Sequence, residues 1–220
     1  MKSKTSIVAC KTLETELLFV MQKTGISYPV KWMEPGLHNT PEILTITLQK
    51  ILDGIEAQRV LAVFGFCGNS VQGIKAGGFE LIIPRVDDCI SLLLGSVKAR
   101  TDITAKHAAY FLTGGWLRGK RNLWAEYQDT LEKYGEEQAQ SVAEMLYVNY
   151  RTLCLLDSDA EPVDPLVEKT KIIADTLRLE QKVIPATVSY LEQLLTGPWK
   201  NDKFLIKAPG ELITASDLHY

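Results

Sequence analysis

The chain has 220 residues, of which 46% are hydrophobic and 23% charged, a globular balance that excludes disordered, collagenous and low-complexity classes. Its 24 lysines and arginines are outnumbered by 27 aspartates and glutamates, giving a net charge of −3, so the basic surplus with which a nucleic-acid binder neutralises phosphates is absent. No apolar run reaches the ~18 residues needed to cross a bilayer, and the apolar stretch after the polar start is broken by Lys11, Glu14 and Glu16, so no membrane span or signal peptide is expected and the protein reads as cytoplasmic.

Strands and helices are predicted in alternation. Ser6–Cys10 is a short β-rich run, and Lys11–Lys23 carries Leu13, Leu17, Leu18 and Met21 on one helical face. Tyr28–Met33 reads as a second strand, placed at a sheet edge by Pro29. A loop with His38 leads to Thr40–Pro41, a helix start, and a stripe of Leu44, Leu48, Ile51 and Leu52 that ends near Gly54. Arg59–Phe66 is almost wholly apolar, as a strand covered on both faces of a parallel sheet would be. Cys67–Gly78 is glycine-rich and supports only a short helix; Phe79–Ile83 is a strand stopped by Pro84, and Asp87 or Asp88 caps a helix over Cys89–Gly95. Ala108–Leu112 is a strand followed by Thr113–Trp116, and Asn122–Tyr150 is helical with a break at Gly135. Thr152–Leu156 is a strand, a helix runs from Asp164–Pro165 to about Arg178, and Lys182–Pro185, Ala186–Thr196 and Phe204–Lys207 read as strand, helix and strand, with a loose tail after Pro209. No Pro/Gly/Ser linker divides the chain, so the expectation is a single α/β domain over residues 1–220: one mostly parallel sheet with helices on both faces, a three-layer, Rossmann-like arrangement.

Ligands of open parallel sheets bind beyond the carboxyl ends of the strands, where the βα loops and helix N-termini converge. Cys10, Cys67 and Cys89 all fall there, and the loop after the second strand brings His38. Thiolate and imidazole are zinc ligands, so these four residues could form a closed site, or three cysteines could leave one position open. Helix N-termini beside the cysteines would favour the thiolate. The opposing reading is a set of buried or reactive thiols, because no CxxC pair is present and the candidate ligands are spread over some 80 residues. Cys154 lies inside a leucine-flanked strand and reads as core, while His107 and His219 read as surface residues.

Around these donors, Cys67–Gly73 with Asn69 could cradle an anion or form a tight βα turn. Arg85 could clamp a carboxylate or phosphate, or pair with Asp87 and Asp88. Asp88 could orient a metal ligand, and Trp116 could stack on a planar ligand or fold over its own turn. GxGxxG, GxxxxGK[ST], GxSxG and HExxH are absent; a Cys–His nucleophile pair of Cys67 or Cys89 with His38 remains open.

The order of segments is distinctive: Val8–Cys10, Gly36–His38, Phe64–Asn69, Ile83–Cys89 (IPRVDDC), Leu94–Ser96, Tyr110–Trp116 (YFLTGGW) and Asn149–Tyr150. Over Ser6 to about Trp199 it resembles the uncharacterised "domain of unknown function 1638" family. That resemblance carries no reaction. It implies an anaerobic bacterial or archaeal setting near corrinoid-dependent methyltransferases, and its matching segments contain Cys10, His38, Cys67 and Cys89 but not Cys154. The leading expectation is a zinc-binding accessory or methyl/thiol-transfer protein of one-carbon metabolism, with a four-iron iron–sulfur cluster as the alternative cofactor. The competing expectations are a metal-free protein that binds a small anionic molecule or a corrinoid, and a cysteine-dependent transferase or hydrolase.

Overall fold

In chain order the elements are β1 (Thr5–Cys10), α1 (Glu14–Thr24), β2 (Val30–Met33), α2 (Pro41–Asp53), β3 (Arg59–Val63), β4 (Glu80–Pro84), α3 (Cys89–Leu93), α4 (Val97–His107), β5 (Ala109–Leu112) and α5 (Gly114–Arg118). They continue with α6 (Leu123–Tyr134), α7 (Glu136–Leu146), β6 (Thr152–Asp157), α8 (Asp164–Thr176), β7 (Glu180–Pro185), α9 (Ser189–Thr196) and β8 (Phe204–Lys207). This computed structural model describes residues 4–119 and 122–219.

β1, β3 and β4 are buried along nearly their whole length, and strands without a polar face need cover on both sides. They lie parallel at the centre of a five-stranded sheet of order β2-β1-β3-β4-β8, in which β8 is antiparallel. Alternate residues supply two cores. Ile7, Ala9, Leu61, Val63 and Ile82 face α1 and α9. Val8, Val60, Ala62, Leu81 and Ile83 face Leu44, Leu48 and Leu52 of α2, together with Val71, Ile74 and Phe79 from the chain between β3 and β4. The result is the three-layer α/β/α arrangement expected from sequence.

The expected single sheet is, however, divided. β5, β6 and β7 form a separate three-stranded parallel sheet. β8 pairs with β4 and so occupies the edge that β5 would have extended. The two sheets share a core: Leu156, Phe111 and Ile184 of the second pack with α1 and α9, while Leu112 and Leu153 turn to the other side, against α6, α7 and α8.

Three further expectations change. Residues 67–78 form turns rather than a helix, held by Phe66 and Phe79, which are 0% and 1% exposed and contribute roughly 1.5–3 kcal/mol each by burial. α4, with no buried residue along its length, occupies a stretch for which no helix was expected. The segment after Pro209 is tied down: Ile213 is fully buried, it exchanges backbone hydrogen bonds with Gly73 and Ile74, and Lys207 pairs with Asp217 at 2.8 Å.

Glu16 marks where α1 meets the second sheet. It is 2% exposed, accepts a hydrogen bond from Ser158 at 3.3 Å through Oε1, and its Oε2 has no partner. Burial, with a smaller push from Glu161, raises its pKa above the ordinary 4.5, against the pull of Arg118. The folded state therefore binds this proton more tightly than the unfolded one, and stability falls as pH rises from about 4.5 through the raised value. Glu16→Gln removes that slope. Thermal melts from about pH 4 to 8 should show an advantage for Gln that grows with pH, reaching about 1 kcal/mol near neutrality. An advantage independent of pH would refute the assignment.

Candidate functional site

Adjacent parallel strands deliver their carboxyl-end loops to neighbouring places, so the order β1-β3-β4 sets Cys10, Cys67 and Cys89 side by side. All three line one cavity of about 370 Å3, with His38, Asp88, Arg100 and Trp116 also in its wall. Cys10 ends β1 and accepts a hydrogen bond from Thr12 Oγ1 at 3.0 Å. Cys67 follows β3 in a turn where Cys67, Gly68 and Asn69 all have positive φ, at 45°, 66° and 66°. For the two residues with a Cβ that conformation costs roughly 1–2 kcal/mol each, strain of the kind that functional loops hold.

The Cys67 and Cys89 loops are fastened together. Phe66 N–H donates to Val86 O at 2.8 Å and Cys67 N–H to Asp87 O at 2.7 Å. Asp88 then caps α3, its Oδ1 accepting from Ile90 N–H at 2.9 Å and Ser91 N–H at 3.0 Å, which fixes the first residue of that helix, Cys89. Arg100 of α4 reaches both acids, with Nη1 3.0 Å from Asp87 Oδ2 and Nη2 3.2 Å from Asp88 Oδ2. From the second sheet, α5 brings Trp116 into the wall beside Cys89, where its ring meets His38 edge-on at 5.1 Å. α5 sits this close because Gly115 has no side chain: a Cβ there would stand 1.9 Å from Thr12 O.

The thiols are not held as thiolates by helix dipoles, as was expected. Burial raises all three pKa values, that of Cys67 to about 12 and that of Cys89 well above its ordinary value; the charge of Glu34 adds to the rise at Cys10, and Asp88 and Cys10 add to it at Cys67 and Cys89. Desolvation prevails because Cys10 precedes a single 3₁₀ turn, Cys67 precedes no helix, and α3 is one short turn. Burial also lowers His38 and raises Asp88, the latter opposed by Arg100. Among the described residues, no three His, Cys, Asp or Glu side chains form a group that could hold a metal ion.

Two expected residues are placed elsewhere. Arg85 faces away from the thiols: it lines a separate cavity of about 570 Å3 and its Nη1 donates to Asp217 O at 2.9 Å, in the tail. Asn69 is exposed on its turn and is not part of the cavity wall. The guanidinium at the site belongs instead to Arg100, on the helix for which there was no expectation. Cys154 is fully buried in β6, His219 is exposed, and His107 pairs with Lys182 away from the site.

No curated protein and no solved structure matches the chain. One family does, over residues 32–195, a span that contains His38, Cys67, Asp88, Cys89, Arg100 and Trp116 and leaves Cys10 outside. With three quarters of its length matched, the chain belongs to the family described as "Protein of unknown function (DUF1638)".

Proposed function

We propose that the protein holds an iron–sulfur cluster, for which Cys10, Cys67 and Cys89 would be the ligands and His38 a neighbour in the same cavity wall. The observation that carries this reading is the convergence of three thiols from three adjacent loops on one cavity, with His38 in the same wall. A cubane would give each of three thiolates its own iron and leave the fourth iron without a cysteine. The donor chemistry agrees: cysteine thiolates are the usual cluster ligands, and a wall with three thiols and two carboxylates against one guanidinium favours a cationic core.

When bound, such a cluster supplies an electron or a Lewis-acidic iron. The chain's own part is to seat it on loops fastened to one another, place Trp116 beside Cys89, and leave space by His38 and Trp116 for a small ligand. That space favours a ligand-binding centre over a sealed electron carrier.

Protein purified without oxygen, or reconstituted with iron and sulfide, should be brown, with broad visible absorbance and about four iron and four sulfide per chain. A colourless protein with about one zinc would overturn the cluster in favour of a mononuclear site. Neither metal would leave a thiol-lined small-molecule pocket.

A further inference from the structure

We infer that Arg100 is a positioning residue for the metal centre, acting through Asp87 and Asp88. The inference rests on the cluster reading above. Cys67 and Cys89 belong to different loops, and besides the Phe66–Val86 bond the Asp87–Asp88 dipeptide joins them: Asp87 O receives the Cys67 N–H, and Asp88 caps the helix that Cys89 begins. Arg100 holds both aspartate side chains in one fork, at 3.0 and 3.2 Å. Its planar guanidinium is suited to this, since two donors in a fixed plane set the separation and orientation of two carboxylates together. The three side chains are only 34%, 22% and 29% exposed, so the fork is poorly screened.

Arg100 need not touch the metal to matter. Groups that orient metal ligands typically change affinity 10–100-fold when removed. Its placement on α4 adds a consequence. Lys98, Thr101 and Asp102 of the same helix line the separate, larger cavity, so α4 stands between the two spaces and reaches the thiol site through this one side chain.

The test uses the full chain loaded anaerobically with iron and sulfide. Arg100→Gln should lose metal to a competing chelator at roughly 10–100-fold lower concentration than wild type, and its midpoint potential should shift, because hydrogen bonding and charge near the sulfurs set that potential. Arg100→Lys, which keeps the charge and loses the fork, should recover part of both. Lys98→Gln, on the same helix but paired only with Asp102, should match wild type. Melting of the metal-free proteins separates these effects from misfolding. A loaded Arg100→Gln with wild-type affinity and potential overturns the inference alone. A wild-type chain that takes up no metal overturns the cluster reading and this inference with it.

Discussion

If the proposed cluster is present, Cys67→Ser should leave the anaerobically prepared chain without iron, while Cys154→Ser keeps the wild-type iron content. Both substitutions exchange a thiol for a hydroxyl, so the chemistry removed is the same and only the setting differs. Cys67 lines the cavity, on a strained turn beside Cys10 and Cys89; Cys154 is 0% exposed inside β6, on a strand of the other sheet. Serine is a poor ligand for soft metals, so the loss at position 67 is chemical. At position 154 the hydroxyl enters an apolar interior, at a cost of about 1–3 kcal/mol. In the metal-free proteins, stability should therefore respond in the opposite order: Cys154→Ser lowers Tm by several degrees and Cys67→Ser changes it little. Equal metal loss in both variants, or in neither, would sink the assignment of Cys67 as a ligand.

That contrast was visible in the sequence because of how parallel sheets work. Runs such as Val60–Phe64 and Leu81–Ile83 are apolar at every position, which identifies central strands, and central strands put their following loops on one rim. Cys10, Cys67 and Cys89 inherit their neighbourhood from that rule. Arg100 could not be found in the same way. α4 reads VKARTDITAKH, buries no residue and has no apolar stripe, so periodicity gives no helix; the available cue was Ser96, whose side chain caps Ala99 N–H at 3.1 Å. The division into two sheets was equally hidden, because it depends on β8, more than a hundred residues after β4, arriving antiparallel at the β4 edge. Trp116 was placed at the rim on the assumption that its strand extended the first sheet. It reaches the thiols from the second sheet, through the close seat of Gly115 on Thr12. Arg85 illustrates the limit of reading a segment such as PRVDDC as a unit: its backbone N–H continues the pairing with the β8 side at Lys203 O, 2.8 Å away, and its side chain leaves toward the tail.

The other large effect is expected at Gly65, where Ala should both destabilise the fold and disable the site. A Cβ at this position would lie 2.7 Å from Asp88 N, 2.8 Å from Asp88 Cα and 2.8 Å from Val86 O. All three are backbone atoms, so no side-chain rotation relieves the clash. The loops carrying Cys67 and Cys89 would have to separate, at the expense of the Phe66–Val86 and Cys67–Asp87 hydrogen bonds. Overpacking of this kind costs about 3 kcal/mol, which for a chain of this size is a drop of roughly 6–12 °C in Tm. Metal affinity should fall with it, since the distance between two of the three thiols is what the substitution changes. Gly68→Ala is the comparison that separates backbone strain from crowding. Gly68 has φ of 66° and nothing within 4 Å of its Cβ position, so alanine there meets only the left-handed penalty, about 1–2 kcal/mol, and leaves the loops where they are. Gly68→Ala should therefore retain its metal at a modestly lower Tm, and Gly65→Ala should not. A Gly65→Ala protein with wild-type Tm and metal content would mean that the Cys67 and Cys89 loops are not in the contact described, and the arrangement of the site would have to be redrawn from that point.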